Sequence, residues 1–233
     1  MYRSIDPDRI IETSRVLGSR IAERFFGSSL SKVSTELHAE AGVAAVTSRW
    51  LSQPLVWVRG MVVASIFGML AVVGATFFML NGKVELSSSV ADFIQGINAA
   101  NNEIILVGAA IYFLGGYESR IKRKRALKAI HVLRSIAHII DMHQLTKDPE
   151  RLSGSGPDTP SSPQRKMTPF ELTRYLVYCS EMLALLSKIG ALYVQNFSDP
   201  VTLAAVDEVQ DLTTGLSQKI WQKIMILDRM VAP

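Results

Sequence analysis

Cysteine is all but missing from this sequence. Cys179 is the only one in 233 residues, so no intrachain disulfide can form and folding does not depend on an oxidising compartment. Its neighbours Tyr178 and Ser180 continue an apolar helical pattern, and the thiol is expected in a core. Motifs that announce chemistry are missing too. The chain has no GxxxxGK[ST] phosphate loop, no GxGxxG, no GxSxG, no HExxH and no paired-cysteine metal spacing. An enzyme is therefore not expected, nor is a cofactor or a resident metal. The start of the chain also lacks a basic region, apolar stretch and small-residue cleavage site, carrying Asp6 and Asp8 instead. A cleaved signal peptide is not expected, and membrane insertion would rely on an internal segment.

Charge is absent from residues 60–80, GMVVASIFGMLAVVGATFFML. At about 1.5 Å per residue, such a run spans a hydrocarbon layer roughly 30 Å thick. A mean hydropathy of +0.21 in a chain that is 20% charged fits only if apolar residues are concentrated in stretches of this kind. A second apolar run, residues 104–116, is too short to cross alone. A span over residues 98–117 completes it and draws Asn101, Asn102 and Glu103 into the outer leaflet, where they would lie near the mouth of a pore in an oligomer. Upstream, Val90, Phe93, Ile94 and Ile97 keep helical spacing, which predicts a lead-in helix before the membrane.

Lysine and arginine set the orientation. Arg49 and Arg59 precede the first span, whereas Arg120, Lys122, Arg123, Lys124, Arg125 and Lys128 follow the second; Lys83 lies between. Because basic residues resist translocation, both ends are expected in the cytoplasm at an inner or plasma membrane. The basic run would stop transfer and touch anionic headgroups. The net charge of +4 is small enough to arise from such flanks, so nucleic acid is not implied. Small residues recur at Gly60, Ala64 and Gly68 and at Ala71 and Ala75, a pattern that lets helices approach closely and favours self-association.

The remainder reads as cytoplasmic helices. Asp6-Pro7 starts an amphipathic helix ending near Phe26-Gly27, and a second begins at Ser28 or Ser29, the two filling residues 1–53 before the span at 54–80. Between Tyr117 and Pro149 there is neither glycine nor proline, which predicts that the second span continues as one rod over 118–147, burying Leu127, Ile130, Leu133, Ala137 and Ile140. Residues 148–167, rich in serine, glycine and proline, predict a flexible linker. Thr168-Pro169-Phe170-Glu171 carries the signals of a helix start. From there, 168–233 predicts an antiparallel hairpin turning at Ser198-Asp199-Pro200. Its stripes cannot be buried by two helices, so a four- or five-helix bundle, or coiled-coil pairing with another subunit, is expected.

Four residues of the rod invite a metal reading. His131 and His138 are seven apart, about 10.5 Å along a helix, too far to share one ion. His138 and Asp141 share a face, His143 lies off it, and a site would need a further ligand such as His38. Hydrogen-bonded surface or interhelical histidines are the simpler reading. Two-span magnesium channels carry a Gly-Met-Asn signature after the first span, which this chain, reading Met79-Leu80-Asn81-Gly82, lacks. The sequence thus predicts an all-α integral membrane protein, a two-span transmembrane helical hairpin with a cytoplasmic helical bundle. It is expected to act as an oligomeric adaptor or scaffold for a cytoplasmic protein partner or for signal relay, with an oligomeric channel or transporter component as the alternative.

Overall fold

The computed structural model describes residues 4–81, 90–149, 160–161 and 167–231. Regular structure among them is helical throughout: α1 (Pro7–Arg24), α2 (Ser29–Ser52), α3 (Val56–Asn81), α4 (Val90–Gly115), α5 (Tyr117–Leu145), α6 (Pro169–Leu192) and α7 (Pro200–Val231). Residues 82–89 of the expected external loop, and most of the expected linker at 148–167, lie outside the described residues. The chain forms two compact units, Gln53–Lys122 and a larger one made of Met1–Ser52 with Arg123–Pro233, the division falling within α5.

The larger unit is a helical bundle whose helices start where local chemistry tells them to. Asp6 caps α1 by accepting the Asp8 N–H at 3.0 Å, and Pro7, which lacks an N–H, occupies the first turn. Ile10, Ser14, Leu17 and Ile21 form the buried face of α1 at steps of three and four. Gly27, at φ 67°, takes the left-handed conformation that reverses the chain into α2. At α6 the full capping box is made: Thr168 Oγ1 accepts from the Glu171 N–H at 3.2 Å, and Glu171 Oε2 accepts from the Thr168 N–H at 2.8 Å. Asp199 performs the same task for α7, accepting from the N–H and hydroxyl of Thr202 at 2.9 and 2.8 Å, with Pro200 behind it.

Helix α6 is the centre of this bundle. It packs on α1, α2 and α7, and twelve of its 24 residues are buried, Leu176, Cys179, Met182, Leu183, Leu186 and Ile189 completely. The stripes of all five participating helices meet in one core, including Leu30, Leu37 and Ala41 of α2, Leu133 and Ile140 of α5, and Val206, Val209, Leu216, Ile220, Ile224 and Leu227 of α7. Two details depart from expectation. On α5 the buried position is Ala126, with Leu127 half-buried, so the stripe is Ala126, Ile130, Leu133, Ile136, Ala137 and Ile140. The rod also does not run on unbroken from α4: that helix ends at Gly115 and α5 starts at Tyr117, leaving Gly116 as a turn between them. Adjacent glycines, each less favourable in a helix by about 1 kcal/mol than alanine, explain the one-residue interruption at Gly116.

The smaller unit is built on α3 and α4, which pack on each other. Their half-buried residues fall at helical spacing, Val62, Ile66, Met69 and Val73 on α3 and Val107, Ala110 and Leu114 on α4. The other sides are apolar and bare: Phe67 is 68% exposed, Leu106 69% and Tyr112 76%. Among the described residues, two helical stretches are long and apolar enough to cross a membrane. One lies within Ser29–Ala75 and has 6% of its apolar window buried; the other is Pro169–Leu192, with 61% buried. The apolarity of Pro169–Leu192 is accounted for by its place in the bundle core, and part of the expected span at 98–117 lies outside the described residues.

Candidate functional site

The hairpin surface and the basic segment after it carry the residues singled out by sequence. Gly60, Ala64, Gly68, Ala71 and Ala75 are all exposed, and a β-carbon added at Gly60 or Gly68 would meet nothing within 4 Å. The small-residue face is thus not what joins α3 to α4; the larger residues from Val62 to Val73 do that. Asn101 and Asn102 are exposed on α4, while the side chain of Glu103 lies outside the described residues.

The basic segment divides into two kinds of residue. Lys122 and Arg123 are committed internally. Lys122, its side chain 9% exposed, reaches Glu118 Oε1 at 2.9 Å. Arg123 grips Asp199 with three bonds of 2.9, 3.0 and 2.5 Å, tying α5 to the cap of α7. Both are thus engaged in ion pairs within the chain. Arg120, Lys124, Arg125 and Lys128 are exposed; Arg120 lies 5.4 Å from the Phe113 ring and Arg125 4.4 Å from Trp50.

Glu118 is a site that sequence reading overlooked. Its carboxylate accepts from Arg59 Nε at 2.7 Å, from Lys122, and from the Leu55 N–H at 3.2 Å, one of the amides left without an intrahelical acceptor at the start of α3. The Arg59 hydrogen bond first and the Lys122 bond next hold its carboxyl far below the usual range, at about 2. A helix start is therefore capped from another helix, closing the base of the hairpin. The one local signal was the Glu118 and Lys122 spacing of four.

The histidines do not converge. His131 and His138 are exposed, His38 Nδ1 meets the Ser14 hydroxyl at 2.8 Å, and His143 lies 3.4 Å from the Ser29 hydroxyl. Asp141 accepts from Gln144 Nε2 at 2.6 Å, and Gln144 in turn takes Lys223 Nζ on its side-chain oxygen at 2.7 Å. Among the described residues no group of three or more histidine, cysteine, aspartate or glutamate side chains is placed to hold a metal. The bundle also carries a groove of about 500 Å³ where α1 meets α6, floored by Ile10, Leu17 and Leu185 and edged by Arg9, Glu181 and Lys188. Comparison with protein-family models, with curated proteins and with solved structures gave no match.

Proposed function

We propose that the chain is a membrane-anchored, self-associating scaffold, with α3 and α4 as a two-span hairpin and the bundle, together with both termini, on the cytoplasmic side. The observation that carries this reading is the contrast between two apolar helices. Helix α6 hides its apolar residues in a core, whereas α3 shows Met61, Val63, Phe67, Leu70 and Val72, each at least half exposed, to whatever surrounds it. Soluble proteins rarely leave so large a contiguous apolar surface bare, and a helix that satisfies its own backbone is one of the two structures that hydrocarbon tolerates. Arg49 before α3, Arg59 in its first turn, and the four exposed basic residues from Arg120 to Lys128 after α4, favour the cytoplasmic side.

The bare Gly60, Ala64 and Gly68 face supports association between hairpins, because small residues allow close backbone approach. A filled bundle core and the absence of a recognisable catalytic motif support a role in holding a protein partner rather than in catalysis. Ultracentrifugation without detergent, followed by tag accessibility at Ser88, tests the anchor. The protein is expected in the pellet, with the tag reached only from outside the cytoplasm; recovery in the supernatant would refute the proposal. In planar bilayers the purified protein is expected to pass no current. A conductance altered by Glu103→Gln would place it among channels instead.

A further inference from the structure

Two guanidinium groups meet one buried tyrosine of the bundle, and a third lies beside them in the same depression. Arg20 and Arg24 stand four apart at the end of α1 and so share a face, while Arg174 precedes Tyr178 by one turn of α6. The Arg20 and Arg174 carbons lie 5.3 and 5.0 Å from the centre of the Tyr178 ring. Arg174 Nη2 makes a long 3.5 Å bond to the Tyr178 hydroxyl, and Arg24 lies over the Phe170 ring, 5.3 Å from its centre, on the wall of the same depression. Phe25 fixes the arrangement by standing edge-on to Tyr175 and Tyr178, at 5.5 and 6.2 Å. With Glu23, these side chains line a depression of about 380 Å³.

The charges here are not balanced from within. Arg20 pairs with Glu181 at 3.1 Å, but among the described residues neither Arg24 nor Arg174 has a carboxylate within ion-pair distance, and Glu171 is held by its capping box. Each guanidinium offers five N–H donors, and the acceptor that Arg174 reaches is a neutral phenol, a weak one. Like charges brought together around a tyrosine cost free energy unless an anion occupies the space between them.

We propose that this depression binds a phosphoryl group, a phosphomonoester or a diphosphate, with Arg24 and Arg174 forking onto its oxygens and the Tyr178 hydroxyl donating a further bond. A carboxylate has two oxygens and suits one fork; a phosphoryl group has enough terminal oxygens for two forks and a hydroxyl. Burial pushes the Tyr178 hydroxyl up, yet the Arg174 bond and the nearby guanidinium groups bring it below the ordinary tyrosine range, the direction expected where positive charge is in excess. Glu23 opposes the anion from the same wall and limits its affinity.

A soluble phosphorylated compound and a phosphatidate headgroup present the same chemistry, and titration calorimetry on the full chain in detergent separates them. Pyrophosphate and short-chain phosphatidic acid are titrated at constant ionic strength, with sulfate as the control. Saturable binding of pyrophosphate, weaker for sulfate, assigns the site to soluble phosphoryl compounds; binding of phosphatidic acid alone assigns it to a lipid headgroup. In either case R24Q/R174Q lowers affinity at least about tenfold, and E23Q raises it about threefold. No heat with either titrant, or equal affinity for sulfate, overturns the proposal, as does unchanged affinity in R24Q/R174Q. Should that double variant fail to fold by circular dichroism, E23Q decides, and unchanged affinity there overturns the proposal as well.

Discussion

Single side chains do several jobs at once here, and Asp199 shows it best. It is 5% exposed, caps α7 and receives three bonds from Arg123. Burial alone would raise its carboxyl, yet the Arg123 and Thr202 bonds take it below the ordinary aspartate range. Asp199→Ala removes a cap and leaves a partly buried arginine without its partner, so a loss of about 2–4 kcal/mol is expected in chemical unfolding of the full chain in detergent. A loss below about 1 kcal/mol would show that the cap matters little. Cys179 gives a second residue-scale outcome. Burial pushes its thiol up to about 12, so maleimide should label it only after denaturant is added; rapid labelling of the native protein would contradict the core placement. Asp199 was legible in the sequence as a turn residue before a proline. Its pairing with Arg123 was not, because that contact joins positions 76 apart, a separation on which helical periodicity is silent.

Helices are the scale at which the sequence speaks most clearly. The capping box at Thr168, the left-handed Gly27 and the six buried apolar positions of α7 all follow from spacing and turn chemistry. What failed at this scale was continuity: the stretch after Tyr117 has no breaker, but Gly115-Gly116 lies just before it, and the helix parts there. The reach of Glu118 to the start of α3 was also hidden, since a cap supplied by a distant helix leaves no local pattern. Its carboxyl sits at about 2 in the folded chain against an ordinary value of 4.5. A depressed folded value means that the stabilisation is complete above about pH 4.5 and disappears as pH falls towards 2. Wild type should therefore exceed Glu118→Gln by about 1–3 kcal/mol at pH 7. The gap in unfolding free energy should close progressively below pH 4.5, and a gap that stays constant across this range would remove Glu118 as its source.

For the whole molecule, the most telling feature is that two helices pass the same test of length and apolarity while having opposite surroundings. Composition cannot separate them, since only the neighbours that cover α6 do so. If the chain inserts as proposed, α6 emerges before α7 exists to shield it. Its fate then depends on how quickly the last helix arrives. A chain stopped after Ser198 would lack Val206, Val209 and Leu216 as cover, and glycosylation tags placed at its new end should report translocation or, failing that, the product should aggregate. A soluble, correctly folded product would mean that α1 and α2 suffice as cover. With the proposed anchor, the 32 residues of α7 would thus decide whether an apolar segment becomes an interior or enters the bilayer.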